Sequence, residues 1–256
     1  MMTLDLVTIP CLQDNYAYLV HDAATGETAL IDAPETGPIL TALRDGGWSL
    51  SHILITHHHD DHIAGVESLR AATGAKVYGA KADAHRMPPL DTPLVEGDRF
   101  AIGSFDVEVI DVSGHTLGHI AFHIPQAKLA FTADSLMAAG CGRLFEGKPA
   151  VMWESLSKLA ALPPETLICS GHEYTMSNLR FAQSLEPENP DLILRIETDG
   201  AARAQGRATV PSLLSLELAT NPFLRAARAD MKAAIGMPDA EDAASFAEIR
   251  ARKDRF

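Results

Sequence analysis

The chain predicts a layered α/β domain followed by an all-helical segment, and three observations carry that prediction. Up to about residue 173, short β-branched runs alternate with helix-like patterns. After Tyr174 only helical patterns follow, with Pro187, Pro190, Pro211, Pro222 and Pro238 between or at the edges of them. In addition, four of the apolar runs each end in His or Asp, so that chemically capable side chains gather at strand ends.

Taken in order, residues 29–31 and 51–55 read as buried strands. Residues 38–44 between them form a helical pattern closed by Gly46-Gly47. A second helix starts near Asp61, where an Asp is placed to cap exposed N–H groups, and runs through Val66, Leu69 and Arg70 to Gly74. Residues 105–110 alternate apolar and polar like a half-buried strand and lead into Ser113-Gly114-His115. Residues 128–131 form a short strand with Asp134 just after it, and residues 166–169 form another that ends in Ser170-Gly171-His172. Helices are then expected over 176–185, 191–205, 212–219, 225–235 and 239–253, with no strand pattern, internal repeat or low-complexity tract.

The densest chemistry lies in Thr56-His57-His58-His59-Asp60-Asp61-His62, directly after the apolar Ile53-Leu54-Ile55. Imidazole and carboxylate ligate zinc, iron and manganese, and His57, His59, Asp61 and His62 fall within six residues. In extended chain, residues two apart point the same way, so His57 and His59 can share one ion while His58 faces away. Asp61 and His62 sit where the chain turns helical and aim elsewhere, which suggests two adjacent metal sites. Any one isolated His or Asp is more often structural; the recurrence of ligands at four strand ends favours function.

Composition excludes several classes. The formal net charge of −13 argues against nucleic-acid binding, which rests on neutralising phosphates with Lys and Arg. Charge is uneven: residues 201–256 hold nine basic and seven acidic side chains, leaving −15 for residues 1–200, so an anionic ligand could land near the C-terminal segment. No apolar stretch approaches the ~20 residues that span a bilayer, and Met1-Met2-Thr3-Leu4-Asp5-Leu6 has no basic start followed by a long apolar run. Cys11, Cys141 and Cys169 are odd in number without C-x-x-C spacing, and read as reduced, buried thiols of a cytoplasmic protein.

The motif at 56–62, Gly114-His115-Thr116-Leu117-Gly118-His119, and Asp134 after a strand resemble the metallo-β-lactamase superfamily. The stretch Phe131-Thr132-Ala133-Asp134 through Gly140-Cys141-Gly142-Arg143-Leu144-Phe145 looks more narrowly like the glyoxalase II (hydroxyacylglutathione hydrolase) family. So do Gly171-His172-Glu173-Tyr174-Thr175, Asn221-Pro222-Phe223-Leu224-Arg225, the tail Arg250-Ala251-Arg252-Lys253-Asp254, and Pro10-Cys11-Leu12-Gln13-Asp14-Asn15-Tyr16 near the start. The likeness implies a metallo-β-lactamase-like αββα sandwich over residues 1–173, the metal-binding catalytic domain. A smaller all-helical C-terminal domain over 174–256 would contribute to binding a glutathione thioester.

The resemblance implies that His57, His59 and His115 hold one divalent ion and Asp61, His62 and His172 a second, with Asp134 bridging them. Zinc is the first expectation, with iron or manganese as alternatives. Two cations lower the pKa of a shared water, and the resulting bridging hydroxide, with Asp61 and Asp134 as catalytic carboxylates, would attack the thioester carbonyl of S-(2-hydroxyacyl)glutathione. S-D-lactoylglutathione would give glutathione and D-lactate, in methylglyoxal detoxification by a monomeric enzyme. A thiolate leaves without a strong general acid, because a free thiol has a pKa of about 8.5.

By the same resemblance, Arg143, Phe145, Tyr174, Arg250 and Lys253 stand at glutathione-contacting positions. Phe145 replaces a frequent Tyr, and Arg143 a frequent Lys. His119 has no ligand role, and His21, His52, His58, His85 and His123 are non-ligands. Competing readings are an iron-dependent sulfur dioxygenase acting on glutathione persulfide, a lactonase, and a structural metal or glutathione-binding module. Structural zinc sites are typically Cys-rich, and this cluster contains no Cys.

Overall fold

A computed structural model describes residues 4–256; Met1-Met2-Thr3, where the reading of the N-terminus begins, lie outside the described residues. The chain divides into two compact units. The first runs to Asp111 and resumes over Thr116–Thr132; the second comprises Val112–His115 and Ala133–Phe256.

In the first unit, β1 (Leu4–Cys11), β2 (Asn15–Asp22), β3 (Glu27–Ile31), α1 (Thr36–Gly46), β4 (His52–Leu54), α2 (Asp60–Ile63), α3 (Val66–Thr73), β5 (Lys76–Ala80) and β6 (Thr92–Leu94) follow in order. The strands form one mixed sheet in sequence order. β1–β2 and β2–β3 pair antiparallel, and β3 to β6 run parallel. Parallel strands need crossover connections: α1 supplies the one from β3 to β4, α2 and α3 the one from β4 to β5, and residues 81–91 link β5 to β6. The unit continues through β7 (Arg99–Ile102), β8 (Phe105–Asp111), β9 (Ile120–Ile124) and β10 (Leu129–Ala133), paired as antiparallel neighbours. Rings from the two strand groups meet: Tyr18 of β2 is edge-on to Phe131 of β10, and Tyr78 of β5 stacks on Phe100 of β7. Leu19, Leu30, Ile53, Val77, Val107 and Phe122 are fully buried in this core.

The alternation in residues 105–110 matches β8, whose odd-numbered residues Phe105, Val107 and Val109 are buried. Helix α1 ends as expected, with Gly47 at φ 68° and its N–H bonded to the last carbonyls of the helix. Two details differ. The helix expected from Asp61 to Gly74 is broken into α2 and α3 at Ala64-Gly65. The reason is a close approach of main chains: Gly65 N–H donates to Ala33 O at 2.8 Å, and a Cβ there would stand 3.0 Å from the same oxygen. The expected Asp is also not the N-cap residue: His59 holds that position and makes no side-chain cap bond, and Asp60 and Asp61 lie in the first turn.

The second unit holds β11 (Leu136–Met137), β12 (Gly140–Cys141), α4 (Pro149–Ala160), β13 (Leu167–Ser170), α5 (Thr175–Leu185), α6 (Pro190–Ala204), β14 (Ser212–Leu213), α7 (Leu214–Thr220), α8 (Ala229–Ala234) and α9 (Asp242–Arg255). The C-terminal region contains one strand that the sequence did not suggest. Ser212–Leu213 pair antiparallel with Leu167–Ile168, but two residues are too few to carry a period. The expected helix over 225–235 shortens to α8, since Arg225 closes a turn on Asn221 O and its guanidinium is held by Glu186. Helix α9 packs along α4, with Trp153 against Phe246 and Phe246 edge-on to Phe223. Ala139, Leu179, Ala182 and Leu192 form a further apolar cluster. Burying Phe223 and Phe246 completely is worth about 1.5–3 kcal/mol each. Among the described residues no helix is long and apolar enough to cross a membrane.

Candidate metal centre

In the first unit the 56–62 motif leaves the carboxyl end of β4, where open α/β sheets place their sites. Asp32, one residue beyond β3, organises it. Thr56 donates its N–H to Asp32 Oδ1 at 2.9 Å and its hydroxyl to Oδ2 at 2.8 Å. His62 Nδ1 lies 2.8 Å from the same Oδ2. A carboxylate only accepts, so Nδ1 of His62 carries the proton and Nε2 becomes the lone-pair nitrogen. The Thr56 hydroxyl hydrogen is committed to Asp32, so Thr56 Oγ1, 3.0 Å from His57 Nδ1, accepts there. One carboxylate thereby sets the tautomers of both His57 and His62. Its own backbone is at φ 56°, a left-handed conformation that Asp tolerates better than most residues.

His57 Nε2 and His59 Nδ1 face each other at 3.1 Å. With metal–nitrogen bonds of about 2.0–2.1 Å, that separation subtends roughly 100° at a shared ion, which fits two ligands of one metal. Asp61 is aligned by Asn15, whose Nδ2 donates to its main-chain O at 3.1 Å and its Oδ2 at 3.0 Å. Asp61 Oδ2 stands 3.8 Å from His62 Nε2. Ligand atoms of Asp32, His57 and His62 all lie within 4.8 Å of one another. His58 turns away and pairs with Asp83 at 3.1 Å. His119 is buried with its ring stacked on that of His57, centroids 4.6 Å apart.

In the second unit, His115 Nδ1 is 2.8 Å from Arg143 O. A carbonyl only accepts, which again leaves Nε2 as the lone-pair nitrogen. That Nε2 is 3.5 Å from Asp134 Oδ2, and His172 Nε2 is 3.4 Å from the same oxygen. These separations are long for hydrogen bonds and suit neighbouring ligands of an ion. His115, Asp134 and His172 thus converge within one unit although 57 residues separate the first from the last. Ala133, immediately before Asp134, has φ 41°, a left-handed strain beside the proposed ligand. Gly142 is required by space: a Cβ would lie 2.1 Å from Asp134 O and 2.8 Å from His115 Nδ1.

The five positions expected to contact the substrate also belong to the second unit. Phe145 is exposed and edge-on to His115, and Tyr174 is partly exposed with its ring stacked on His172. Arg143 is exposed. Arg250 is buried: it donates to Cys141 O at 3.0 Å, pairs with Asp254 at 2.8 Å and lies over the Phe223 ring. Lys253 reaches Ser177 O at 3.1 Å. Burial, followed by the fields of Arg250, Arg180 and Arg143, lowers its pKa from 10.5 to about 8. Four cations therefore concentrate positive potential on a protein that is acidic overall.

All three cysteines are buried and unbridged. Burial pushes Cys11 and Cys141 up to about 11 and Cys169 higher still, so none is a nucleophile at neutral pH. Sequence reasoning missed Asp32, although Ala29-Leu30-Ile31-Asp32 repeats the pattern of an apolar strand ending in a ligand-type residue. It also missed the alignment of Asp61 by Asn15, and Arg180 in the cationic group.

Family models match both parts of the chain: "Metallo-beta-lactamase superfamily" over residues 13–172 and "Hydroxyacylglutathione hydrolase C-terminus" over residues 173–256. A hydroxyacylglutathione hydrolase of Cereibacter sphaeroides is 67% identical over 100% of both chains. Among solved structures, ETHE1 from Myxococcus xanthus superposes with a TM-score of 0.67 at 23% identity, covering 98% of this chain and 90% of that one. TTHA1623 in a di-iron-bound form gives 0.57 at 31% identity, covering 66% and 91%. With His and Asp groups suited to holding metal ions on a metallo-β-lactamase fold, and its full-length likeness to such relatives, the chain belongs to the hydroxyacylglutathione hydrolase family of the metallo-β-lactamase superfamily.

Proposed function

We propose that this enzyme is a binuclear metal-dependent thioesterase that hydrolyses S-(2-hydroxyacyl)glutathione, S-D-lactoylglutathione above all, to glutathione and a 2-hydroxy acid. The observation that carries the reading is the full-length 67% identity to a relative of that name, joined to the placement of Asp134 Oδ2 between two imidazole nitrogens. His57, His59 and His115 would hold one ion, Asp61, His62 and His172 the other, and Asp134 would share its carboxylate between them. Zinc is the favoured metal, with iron or manganese as alternatives; the di-iron form of TTHA1623 supports the capacity of this fold for paired metals. When bound, the ions supply Lewis acidity, which lowers the pKa of a water and polarises a carbonyl.

The residues of the chain do the rest. Asp32 keeps Nδ1 of His62 protonated, and through Thr56 that of His57, so that both rings offer Nε2. Asn15 keeps Asp61 oriented as a ligand and as the acceptor of a proton from the attacking water. Arg143 and Lys253, backed by Arg250, attract the carboxylates of glutathione, while Phe145 and Tyr174 offer ring faces to the thioester arm. The departing thiolate needs no strong acid. Residues 1–173 act as the catalytic domain and 174–256 as the thioester-binding domain, a division supported by the two family matches. The setting we propose is methylglyoxal removal by a monomer in the cytoplasm, and three unbridged cysteines suit a reducing compartment.

The test is hydrolysis of S-D-lactoylglutathione by the purified protein, with oxygen uptake on glutathione persulfide followed in parallel. Thioester cleavage without oxygen uptake is the expected result; oxygen uptake without cleavage would move the assignment to a sulfur dioxygenase.

A further inference from the structure

Between Asp134 and Arg143 the chain makes the β11–β12 hairpin, with Leu136 opposite Cys141 and Met137 opposite Gly140. Its ends carry the site: Asp134 precedes it, and Arg143 O accepts from His115 Nδ1 just after it. Five successive main-chain positions in the hairpin are each bonded by a side chain from the helical part of the unit. Asn221 Nδ2 donates to Met137 O at 3.1 Å and to Gly140 O at 2.9 Å. Asn178 Nδ2 donates to Ala138 O at 3.0 Å. Ala139 N–H donates to Glu217 Oε2 at 2.8 Å, and Arg250 donates to Cys141 O. All four side chains are buried.

The clamp is itself fixed. Glu217 Oε1 accepts from Arg195 at 2.5 Å and from Ser212 at 2.6 Å, and its Oε2 also accepts from Asn221 at 3.1 Å. Asn221 Oδ1 accepts from Phe223 N–H at 3.1 Å. The hairpin needs such support. Ala139 sits at φ 53°, where a two-residue turn ordinarily takes Gly or Asn. Gly140 approaches Asn178 so closely that a Cβ would lie 2.3 Å from its Nδ2.

We propose that Asn221, Glu217 and Asn178, with Arg250, are positioning residues that hold the hairpin so that Asp134 and His115 meet in ligand geometry. The inference rests on the reading of Asp134 and His115 as metal ligands. It gives the C-terminal helices a role in building the metal centre besides binding the thioester arm. Outer partners of metal ligands typically govern affinity by 10–100-fold, and the clamp acts in the same sense through the backbone.

The experiment uses the full chain with zinc as the probe. Asn221→Asp puts a carboxylate opposite two carbonyl oxygens; we expect zinc affinity to fall about 10–100-fold and kcat to fall while KM for the thioester stays within about twofold. Amide exchange over residues 136–141 should accelerate. Asn178→Ala, which removes one bond, should do the same to a smaller degree and serves if Asn221→Asp does not fold. Leu156→Ala, a buried change in α4, should lower stability and leave zinc affinity intact. Wild-type zinc affinity and hairpin exchange in Asn178→Ala, or an equal loss of zinc in Leu156→Ala, would overturn the proposal. Zinc affinity and exchange are read without substrate, so a wild-type protein that binds zinc but cleaves no thioester would refute the proposed function alone.

Discussion

Replacing Asp32 with Asn isolates what one carboxylate does for the metal ligands. Asn matches Asp in size and tolerates φ 56°, so the backbone is not strained. Its Oδ1 can still accept the Thr56 N–H, but an NH2 group replaces the oxygen that takes the Thr56 hydroxyl and faces His62 Nδ1 at 2.8 Å. Two donors cannot face each other, so His62 must move its proton to Nε2 and lose the lone pair that a metal requires. Thr56, freed from Oδ2, can donate to His57 Nδ1 and weaken the control of that tautomer too. Loss of such an outer partner costs about 10–100-fold in metal affinity, equivalent to about 1.4–2.7 kcal/mol. Competition with a zinc chelator measures the affinity directly, with circular dichroism reporting that the fold persists. Weaker binding with an intact fold is expected; a folded Asp32→Asn protein with wild-type affinity for both ions would refute the tautomer argument.

Asp134→Ala should lower metal content and nearly abolish turnover, which metal analysis and kinetics on one sample will check; normal activity with two metals bound would contradict the bridging assignment. Arg195→Ala leaves Glu217 charged, buried and without its guanidinium, and should cost about 3–5 kcal/mol in urea unfolding. Lys253, held near 8, loses its charge as pH rises through that value, so anion affinity is present below it and falls above it. The Kd for S-methylglutathione should therefore rise between about pH 7 and pH 9 in the wild type and stay flatter in Lys253→Ala. Identical pH profiles would remove Lys253 from the binding group.

The candidate ligands at strand ends were legible because each strand carries its own local signal and ends in a chemically distinctive residue. Residues 105–110 alternate cleanly, and His115 follows them. What was hidden depended on tertiary approach. Gly65 interrupts a helical pattern because the Ala33 carbonyl passes beside it. Ser212–Leu213 forms a strand only because Leu167–Ile168 is there to pair with. Arg250 is expected, by resemblance, at a glutathione-contacting position, yet its guanidinium is buried against Cys141 O and Phe223. Glu217 looks like an ordinary polar helix residue and Asn221 lies in the Asn221-Pro222 segment between expected helices, and nothing local announces that their partners lie some 80 positions earlier. Asp32 is the instructive omission, since its signal was local and of the same kind as the others.

Anomalous diffraction from crystals of the zinc-loaded protein tests the central claim most directly. Two peaks about 3.5–4 Å apart, both adjoining the Asp134 carboxylate, are the predicted result. A single peak, or ions held by His58, His119 or His123 instead, would contradict it.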